Sequence, residues 1–497
     1  MIRQAITLGQ LLDGVTGEYS GCVPETAVVD VHVDSRKVGP GTAFIAVSGS
    51  TGDGHAYVDA ASRAGAAVIV LERGRCPRPL VPHVWIESTR AALPRLAANA
   101  YGWPARALRL AGVTGTNGKT TTSYLVAEVL TAAGRRHARL GTTGNWLVDH
   151  EAPASFTTPF PLELQGMLAD ARERGASDVI MEVSSHGLSQ DRVAPLKFKG
   201  VALTSFSQDH LDYHPTMADY LAAKVRLARD YLEDRGVAIA ASSAGAAAQA
   251  FLDAARERSA LAWRATREPG ERGELAVVSR DRSAPGIDVT LRTPVGSGRL
   301  QSPLLGDFNL DNLLVSVGLC LALGVRLATI LEALRTAVGA PGRLERVQAP
   351  RGPAVFVDYA HTPDAVARAL EALRPACRGA LWVVLGCGGD RDPSKRPRMG
   401  QLAAEHADHF VATSDNPRTE EPRAIIDQMI AGVPAERRAR LHVEVDRRRA
   451  IAHAIAAAAD DDIILIAGKG HEDYQILGTT KVHLDDREEA ARALGLR

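Results

Sequence analysis

A short glycine-rich loop between an apolar run and a helical run constrains this 497-residue chain more than any other feature. The segment LRLAGVTGTNGKTTTSYLVAEVL covers residues 108–130. Its apolar start predicts a buried strand, the glycines at 112, 115 and 118 predict a tight turn, and the run from Lys119 predicts a helix. Backbone N–H groups in such a turn and at the helix start can bind a polyphosphate. The segment therefore predicts a nucleotide-binding α/β domain.

The lysine and threonines of this loop carry its predicted chemistry. We expect Lys119 to reach the terminal phosphates and Thr120 to be a Mg²⁺ ligand. The loop departs from the strict GxxxxGK[ST] pattern, because Val113 stands where the first glycine would be. A merely flexible loop is the alternative, but strand, Gly-Lys-Thr-Thr and helix in succession favour nucleotide binding. The predicted phosphate-binding residues are Gly115, Thr116, Asn117, Gly118, Lys119, Thr120 and Thr121.

Chain length and strand–helix alternation predict three α/β domains. Residues 1–105 are expected to form a small N-terminal α/β domain. Residues 106–340 are expected to form a central P-loop-type ATPase domain with a mostly parallel sheet. Residues 341–497 are expected to form a Rossmann-like doubly wound domain, after a hinge in the Gly/Pro-rich stretch 339–345. Between 242 and 300 the alternation weakens and indicates some antiparallel strand.

Composition excludes several classes of protein. The formal net charge is zero, which argues against bulk electrostatic binding to nucleic acid or to an anionic membrane. No apolar run approaches the length of about 20 residues that spans a bilayer. The five cysteines form no CxxC pair, which is typical of reduced thiols. We therefore expect a cytoplasmic monomer without a nucleic-acid partner.

Further motifs follow one another along nearly the whole chain, and together they resemble the Mur ligases and, in the loop, the folylpolyglutamate synthetases. The motifs are DSRKVGPGTAFIAVSGSTGDGH (34–55), GTNGKTTT (115–122), TTP (157–159), MEVSSHGLSQDRV (181–193), SQDHLDYH (207–214), YLAAK (220–224), GDFNLDN (306–312), PGRLE (341–345), DYAHTPDA (358–365), GCGGDRDPSKRPRMG (386–400), DNPR (415–418) and GKGHE (468–472). The resemblance implies an ATP-dependent ligase of peptidoglycan synthesis that activates a carboxylate of a UDP-N-acetylmuramoyl-dipeptide as an acyl phosphate.

Such chemistry brings a carboxylate against a triphosphate and so needs a divalent metal. Glu182 and His210 follow two strand candidates, and the resemblance implies that they bind Mg²⁺ together with Thr120. A helix-capping acid and a satisfied loop histidine are the alternatives. For Lys224 the resemblance implies a carbamate, formed with carbon dioxide, that holds a second Mg²⁺; an exposed helix lysine is the alternative. With Lys119, these residues make up the expected catalytic set.

The resemblance also implies residues for the two nucleotides. It places the UDP end of the substrate at Ser35, Ser50, Thr51 and Gly52. It places the muramoyl-dipeptide at Thr157, Thr158, Ser184, Gln190 and Arg192. For Arg192 a solvated ion pair with Asp191 is the alternative.

Adenine and ribose are expected at Asn309, Asn312, Arg343 and Asp358, the last two supplied across the hinge. Two departures bear on this side of the site. Ser205 stands where the family usually has Asn, and AIAASSAG (238–245) replaces a usual Asn-x-Asp-Asp run. These departures put the affinity for adenine in question, but they do not touch the phosphates or the metal.

The polar stretch DNPR follows the apolar run HFVA and suits a zwitterion. A free amino-acid end needs a cation for its carboxylate and acceptors for its ammonium group. In the family this stretch matches diaminopimelate-adding members, whereas L-lysine has no distal carboxylate for the arginine to bind. The residues expected at meso-diaminopimelate are Arg391, Asp415, Asn416, Pro417, Arg418, Gly468 and Glu472.

Several alternatives stay open at this point. DNPR can be an ordinary Asx turn with surface charges. Within the class, a lysine-adding ligase or a folylpolyglutamate synthetase-like ligase is the nearest rival. Outside it, a catalytically weak nucleotide-binding scaffold is the alternative, since the Asn-x-Asp-Asp run is missing.

Overall fold

The computed structural model describes residues 5–49, 52–76, 79, 81–284 and 286–496. Most of the strands fall into three sheets that follow one another along the chain, with helices packed on their faces. The predicted α/β class with three successive units is therefore confirmed. The exact domain boundaries remain predictions.

The N-terminal part of the chain forms a small sheet covered by helices. Its elements are β1 (Ile6–Thr7), α1 (Leu8–Leu11), β2 (Gly17–Ser20), β3 (Ala27–Val28), β4 (Asp30–His32), β5 (Thr42–Ile45), α2 (Val58–Arg63), β6 (Val68–Glu72), β7 (His83–Ile86) and α3 (Thr89–Ala100). The strand order is β2-β7-β6-β5-β4, and β1 pairs separately with β3. Strands β4 to β7 run parallel and β2 runs antiparallel to β7.

The central part forms a sheet of eleven strands. Its elements are β8 (Arg109–Thr114), α4 (Lys119–Ala132), β9 (His137–Leu140), β10 (Asn145–Leu147), β11 (Glu151–Ala152), α5 (Pro161–Glu173), β12 (Asp178–Glu182), α6 (Ser185–Ser189), β13 (Phe198–Leu203), α7 (Met217–Asp230), β14 (Leu232–Ala241), α8 (Ala246–Arg256), β15 (Leu261–Thr266), β16 (Leu275–Arg280), β17 (Ile287–Thr293), β18 (Gly296–Ser302), α9 (Asp307–Ala322) and α10 (Leu327–Leu334). The strand order is β11-β10-β9-β12-β8-β13-β14-β15-β16-β17-β18.

The order of the central strands decides where polar loops meet. Strand β8 lies between β12 and β13, and all three run parallel. Glu182 pairs with Val113, and Leu203 pairs with Thr114, so the three strands end at one edge. Strands β16, β17 and β18 are antiparallel, as expected for the region 242–300. The helix at the phosphate loop begins at Lys119, as predicted.

The C-terminal part forms a six-stranded sheet with a separate hairpin. Its elements are β19 (Glu345–Val347), β20 (Ala354–Asp358), α11 (Pro363–Leu373), β21 (Leu381–Leu385), α12 (Lys395–His406), β22 (His409–Ala412), α13 (Pro422–Ile430), β23 (Leu441–Val443), α14 (Arg447–Ala457), β24 (Ile463–Ala467), β25 (Tyr474–Leu477), β26 (Thr480–His483) and α15 (Asp486–Ala493). The order is β19-β20-β24-β21-β22-β23, with only β19 antiparallel. The loops after β20, β21, β22 and β24 therefore share one edge.

Two sequence expectations concern the chain as a whole. Each of the five cysteines is a free thiol. In the ranges that the structure describes, no helix combines the length and the apolar character needed to cross a bilayer.

The amino-terminal edge of the central sheet is held by a buried carboxylate. Asp178, the first residue of β12, is completely buried. It accepts hydrogen bonds from Arg109 Nε at 3.0 Å and Nη2 at 2.9 Å, and from Arg135 Nε at 2.7 Å. Both arginines therefore depend on one carboxylate at the edge opposite the phosphate loop.

We expect Asp178→Ala to lower the free energy of unfolding by about 3 kcal/mol, because it leaves two arginines without their buried partner. Nucleotide affinity should not change. The matched control is Asp253→Ala, which removes an exposed carboxylate paired with Arg256 at 2.6 Å and should cost less than about 1 kcal/mol. Scanning calorimetry measures the melting temperature of both variants. Equal shifts would contradict a special stabilising role for Asp178.

Candidate active site

The phosphate loop packs directly against two neighbouring elements. Gly115 has φ +151° and Gly118 has φ +87°, a region that favours glycine. A Cβ on Gly115 would overlap the hydroxyl of Thr204, which follows β13, and a Cβ on Gly118 would overlap the side-chain oxygen of Asn312 in α9. The predicted loop is thus closed in by a strand end and by a helix. Thr204 was not singled out in the sequence, although its place after the strand adjacent to β8 could have indicated it.

Two lysines converge on one carbonyl oxygen of this loop. Lys119 Nζ donates to Gly115 O at 2.8 Å and to Thr116 O at 2.9 Å. Lys224 Nζ donates to the same Gly115 O at 2.9 Å and lies 4.4 Å from the centroid of the Tyr220 ring. Since Lys224 is only 1% exposed, the alternative of an exposed helix lysine is wrong.

Burial makes these two amines unusual. It lowers the pKa of Lys224 well below its ordinary value, and the charge of Lys119 lowers it further. Burial also lowers the pKa of Lys119; there the charge of Glu182 acts in the opposite direction and that of Arg343 adds to the decrease. The hinge arginine therefore lies within electrostatic reach of the phosphate loop.

Glu182 lies at the end of β12, beside the start of α4. It is completely buried, and its Oε2 accepts a hydrogen bond from Thr120 Oγ1 at 3.1 Å. The carboxylate also accepts from the backbone N of Thr142 at 3.1 Å and from its hydroxyl at 3.0 Å. Thr142 belongs to the loop after β9, so the alternative of a helix-capping acid is wrong. Sequence reasoning missed Thr142, whose position after a strand next to β12 is the available signal.

His210 occupies a strained position in a group of aromatic rings. Its φ is +52°, and its Nε2 lies 3.5 Å from Asp209 Oδ2. Its ring centroid lies 4.9 Å from that of His186, which in turn lies 5.6 Å from that of His214. Partial burial of the ring, together with Lys119 and Lys224, lowers the pKa of His210. The imidazole is therefore neutral at neutral pH and has a nitrogen lone pair available.

Burial is also the main reason that the pKa of His186 falls to about 4, with His210 and His214 as further causes. Over the part of the chain that the structure describes, no group of three or more His, Cys, Asp and Glu side chains forms a ready-made metal cage. The expected metal ligands are instead the Thr120–Glu182 pair, the neutral His210 and the buried Lys224. Such a sparse protein set fits Mg²⁺, which usually takes one or two carboxylates, with substrate phosphates and water as the other ligands.

The residues expected at the muramoyl-dipeptide form one connected group. Thr158 Oγ1 donates to Glu182 O at 3.1 Å and accepts from Ser184 N at 2.9 Å. Arg192 Nη1 donates to Thr158 O at 2.9 Å, and Arg192 Nε donates to Gln190 Oε1 at 2.9 Å. Thr158 thus connects this group to the backbone of Glu182 at the end of β12.

Two further contacts define this group. Thr157 shares a hydrogen bond with Thr142 at 3.0 Å. Arg192 is only 7% exposed, and Asp191 pairs with Arg226 at 2.5 Å instead. The alternative of a solvated Asp191–Arg192 pair is therefore wrong.

The residues expected at the UDP end belong to the first sheet. Ser35 begins a short 3₁₀ turn that is capped by Asp34. Gly52 is exposed, and its carbonyl oxygen accepts a hydrogen bond from Gly49 N at 2.8 Å. Ser50 and Thr51 lie outside the described residues.

The adenine side combines α9 with the hinge. Asn309 and Asn312 are buried in the first turns of α9, and Asn312 Nδ2 donates to Asn309 Oδ1 at 3.1 Å. Asp358 ends β20 and accepts from Leu344 N at 2.7 Å. The guanidinium of Arg343 lies 4.6 Å from the centroid of the Tyr359 ring.

Both sequence departures lie at strand ends of the central sheet. Ser205 accepts a hydrogen bond from Asn117 N at 2.9 Å and so contacts the phosphate loop directly. Ser242 and Ser243 begin a short 3₁₀ turn directly after β14.

The DNPR stretch lies at the carboxyl edge of the third sheet. Asp415 and Asn416 are buried, at 8% and 4% exposure. Asn416 Nδ2 donates to Glu472 Oε2 at 3.0 Å, which joins DNPR to the GKGHE loop. An ideal Cβ on Gly468 would lie 2.6 Å from Asp415 Oδ2, so only glycine allows this approach. These contacts go well beyond an ordinary surface Asx turn.

Two arginines flank a glycine in the neighbouring loop. Arg418 Nη1 donates to Gly389 O at 2.7 Å, and Gly389 N donates to Asn416 O at 2.9 Å. An ideal Cβ on Gly388 would lie 3.1 Å from Arg418 Nη1 and 3.7 Å from Arg391 Cγ. The side chains of Arg418 and Arg391 therefore approach the same glycine, and a guanidinium group can bind a carboxylate bidentately.

A fully buried ion pair supports this edge and was not found from the sequence. Arg447 donates to Asp486 from Nε at 2.7 Å and from Nη2 at 2.6 Å. The same guanidinium donates to Ser414 O at 3.3 Å and to Ala467 O at 2.9 Å. Arg447 thereby fixes the strand ends that carry DNPR and GKGHE.

Three segments of the chain match models of Mur ligase family domains. Residues 28–101 match "Mur ligase family, catalytic domain", residues 113–320 match "Mur ligase middle domain", and residues 342–470 match "Mur ligase, glutamate ligase domain".

Individual relatives extend over almost the whole chain. A UDP-N-acetylmuramoyl-L-alanyl-D-glutamate--2,6-diaminopimelate ligase from Synechococcus sp. (strain WH7803) is 45% identical over 499 residues, covering 98% of this chain and 99% of the relative. A solved structure of a UDP-N-acetylmuramoyl-L-alanyl-D-glutamate--2,6-diaminopimelate ligase has a TM-score of 0.73 at 32% identity and covers 99% of both chains. A Mycobacterium tuberculosis folylpolyglutamate synthase complexed with ADP and AMPPCP shares the fold, with a TM-score of 0.62 at 20% identity over 82% of this chain and 95% of that one.

The packing of the loop yields a test of nucleotide binding. We expect Gly118→Ala to weaken ADP binding by about 100-fold, because the new methyl group would displace Asn312 and close the loop. The matched control is Gly134→Ala at the other end of α4, where φ is +69° but a Cβ would meet open space. Calorimetric titration with ADP measures both; equal affinities in the two variants would contradict a role for the loop in binding.

Proposed function

The chain belongs to the Mur ligase family, and on that premise we propose that it adds meso-diaminopimelate to UDP-N-acetylmuramoyl-L-alanyl-D-glutamate with hydrolysis of ATP. The product is the UDP-linked tripeptide of peptidoglycan synthesis. The reaction takes place in the cytoplasm, where the nucleotide substrates are found.

The observation that carries the proposal is the meeting of Lys119 and Lys224 at Gly115 O. A nucleotide-binding scaffold needs the first lysine but not a second, buried one. Burial and the charge of Lys119 both disfavour the charged form of Lys224 and lower the pKa of its amine well below the ordinary value. A neutral amine can add to carbon dioxide: the nitrogen forms a bond to carbon and loses one proton, which leaves a carbamate anion. This environment supports the carbamate expected at Lys224.

Different residues of the chain bind the triphosphate and orient the carboxylate that is activated. The loop amides and Lys119 hold the triphosphate, whose negative charge favours the ammonium form of Lys119. Thr158, Ser184 and Arg192 orient the dipeptide beside Glu182. A carboxylate oxygen of the dipeptide then attacks the γ-phosphorus, and ADP leaves. The acceptor amine attacks the acyl carbon, loses a proton and displaces phosphate.

Mg²⁺ fits this arrangement. Thr120, Glu182 and His210 would hold it, with the Lys224 carbamate for a second ion. When bound, the metal neutralises the charge that accumulates as a carboxylate approaches a triphosphate. Two features of this chain support the assignment: Thr120 already contacts Glu182, and His210 presents a neutral imidazole.

The edge of the third sheet is suited to the zwitterionic end of diaminopimelate. We assign its carboxylate to Arg418 and Arg391, and its ammonium group to Asp415, Asn416 and Glu472. L-lysine would leave the two guanidinium groups without an anion, which disfavours a lysine-adding enzyme. The contacts of DNPR with two other loops support its role as a recognition element.

Phosphate release tests the function directly. The purified protein receives ATP, Mg²⁺ and UDP-N-acetylmuramoyl-L-Ala-D-Glu, with meso-diaminopimelate or L-lysine added in turn. We expect release with diaminopimelate alone. Release with lysine would keep the ligase and reject the assignment of Arg418, whereas no release with either would favour the scaffold.

The carbamate is tested at Lys224. We expect Lys224→Ala to lower kcat by about 100-fold, with partial rescue by short carboxylates. ¹³C-bicarbonate should give a carbamate signal by NMR in the wild-type protein only. The control is Lys197→Ala, an exposed lysine that donates to Asp230 O at 2.7 Å near the end of α7. Undiminished activity of Lys224→Ala would reject the carbamate.

Acceptor recognition is tested at Arg418. We expect Arg418→Ala to raise KM for diaminopimelate by about 100-fold and KM for ATP by less than about twofold, because only the acceptor contact is lost. The control is Arg423→Ala, which removes an exposed arginine paired with Asp427 at 2.9 Å. Steady-state kinetics with each substrate varied gives both constants. A parallel rise in the two KM values would show that Arg418 does not act on the acceptor.

A further inference from the structure

Lys469, in the GKGHE loop, is completely buried. Its Nζ donates to Glu472 Oε2 at 3.3 Å and to Asn416 Oδ1 at 3.4 Å. It also lies 5.3 Å from the centroid of the Tyr474 ring. A buried amine is tolerated only with such partners, and both of its acceptors are residues that we assign to the diaminopimelate site.

The two acceptors of Lys469 are bonded to each other. Asn416 Nδ2 donates to Glu472 Oε2 at 3.0 Å, while Ile476 N donates to Asn416 Oδ1 at 2.9 Å. Each polar atom of the Asn416 amide therefore has a fixed partner, and its orientation is determined. Lys469, Asn416 and Glu472 form a closed triangle in which each side chain restrains the other two.

This triangle leaves one oxygen available. Both bonds to the Glu472 carboxylate end on Oε2, and within the described part of the chain Oε1 accepts no hydrogen bond. The Glu472 side chain is 19% exposed, so this oxygen can be reached by a ligand. The contacts of Lys469 are also longer than the 2.7–2.9 Å that is typical of charge-assisted bonds. Lys469 thus orients Glu472 without occupying all of its carboxylate.

We propose that Lys469 is a positioning residue for the amino-acid acceptor. It holds Glu472 and Asn416 so that Glu472 Oε1 receives the ammonium group of the acceptor's zwitterionic end. This role rests on the proposed function, since it assigns the ammonium subsite of the same amino acid.

The chain contains a matched control for this lysine. Lys481, in β26, lies 3.5 Å from the centroid of the same Tyr474 ring, but it is exposed. Replacing either lysine therefore removes a cation–π contact with Tyr474, so an effect of that contact alone would be seen in both variants. Only Lys469 contacts Glu472 and Asn416.

The test compares Lys469→Met with Lys481→Met, because methionine keeps the length of the side chain and removes its charge. We expect Lys469→Met to raise KM for meso-diaminopimelate by about tenfold or more, with kcat and KM for ATP within about twofold of wild type. Lys481→Met should leave all three constants unchanged. Melting temperatures of both variants are recorded to separate positioning from stability.

A second variant, Lys469→Ala, tests the proposal if Lys469→Met does not fold. Lys469→Ala leaves a cavity in which added ethylammonium or propylammonium chloride should lower KM for diaminopimelate again, while tetramethylammonium chloride should not. An unchanged KM for diaminopimelate, or equal rises in the KM values for diaminopimelate and ATP, would overturn the proposal. Wild-type activity is measured first: if the wild type takes another amino acid, the proposed function fails on its acceptor, and the same comparison with that amino acid still decides the role of Lys469.

Discussion

The close packing around Gly115 is the constraint on which the rest of the site depends. Its carbonyl oxygen accepts hydrogen bonds from both Lys119 and Lys224, and its Cα faces the hydroxyl of Thr204. Because both amines donate to this one oxygen, their positive charges would lie close together and repel each other. This repulsion disfavours the state in which both amines are protonated. The pKa is lowered most clearly at Lys224, which is only 1% exposed, and a lysine there can lose its proton more readily than an arginine could.

The parallel strands place the proposed catalytic residues at one edge of the sheet and a stabilising ion pair at the other. In the central sheet, the carboxyl ends of β8, β12 and β13 bring together the phosphate loop, Glu182 and Thr204. The opposite edge holds Asp178 between two arginines, where a buried ion pair contributes to stability alone. In the third sheet, Arg447 joins the edge that carries DNPR and GKGHE to Asp486. In both of these sheets, a buried carboxylate bonded to arginine therefore supports the ends of the strands.

The acceptor site that we propose has charges arranged in two groups. Arg391 and Arg418 lie beside Gly388, whereas Glu472 and Lys469 meet at Asn416. A ligand that carries both a carboxylate and an ammonium group complements this arrangement, and one that carries only an amine complements half of it. We therefore expect selectivity between diamino acids to follow from this separation of charge, since an unpaired guanidinium disfavours the smaller ligand.

The sequence motifs by themselves determined the phosphate loop and the family of this protein. Strand, glycine loop and helix at residues 108–130 specify the phosphate loop by local conformation, and the succession of motifs identified the family, which the comparisons confirm. The tertiary structure decided which side chains share an environment. It buried Lys224 and Arg192. It also joined residues from separate loops, as in the bonds of Thr142 to Glu182 and in the triangle around Lys469. Local sequence cannot determine these contacts, because pKa and burial depend on strand order and on packing between segments far apart in the chain.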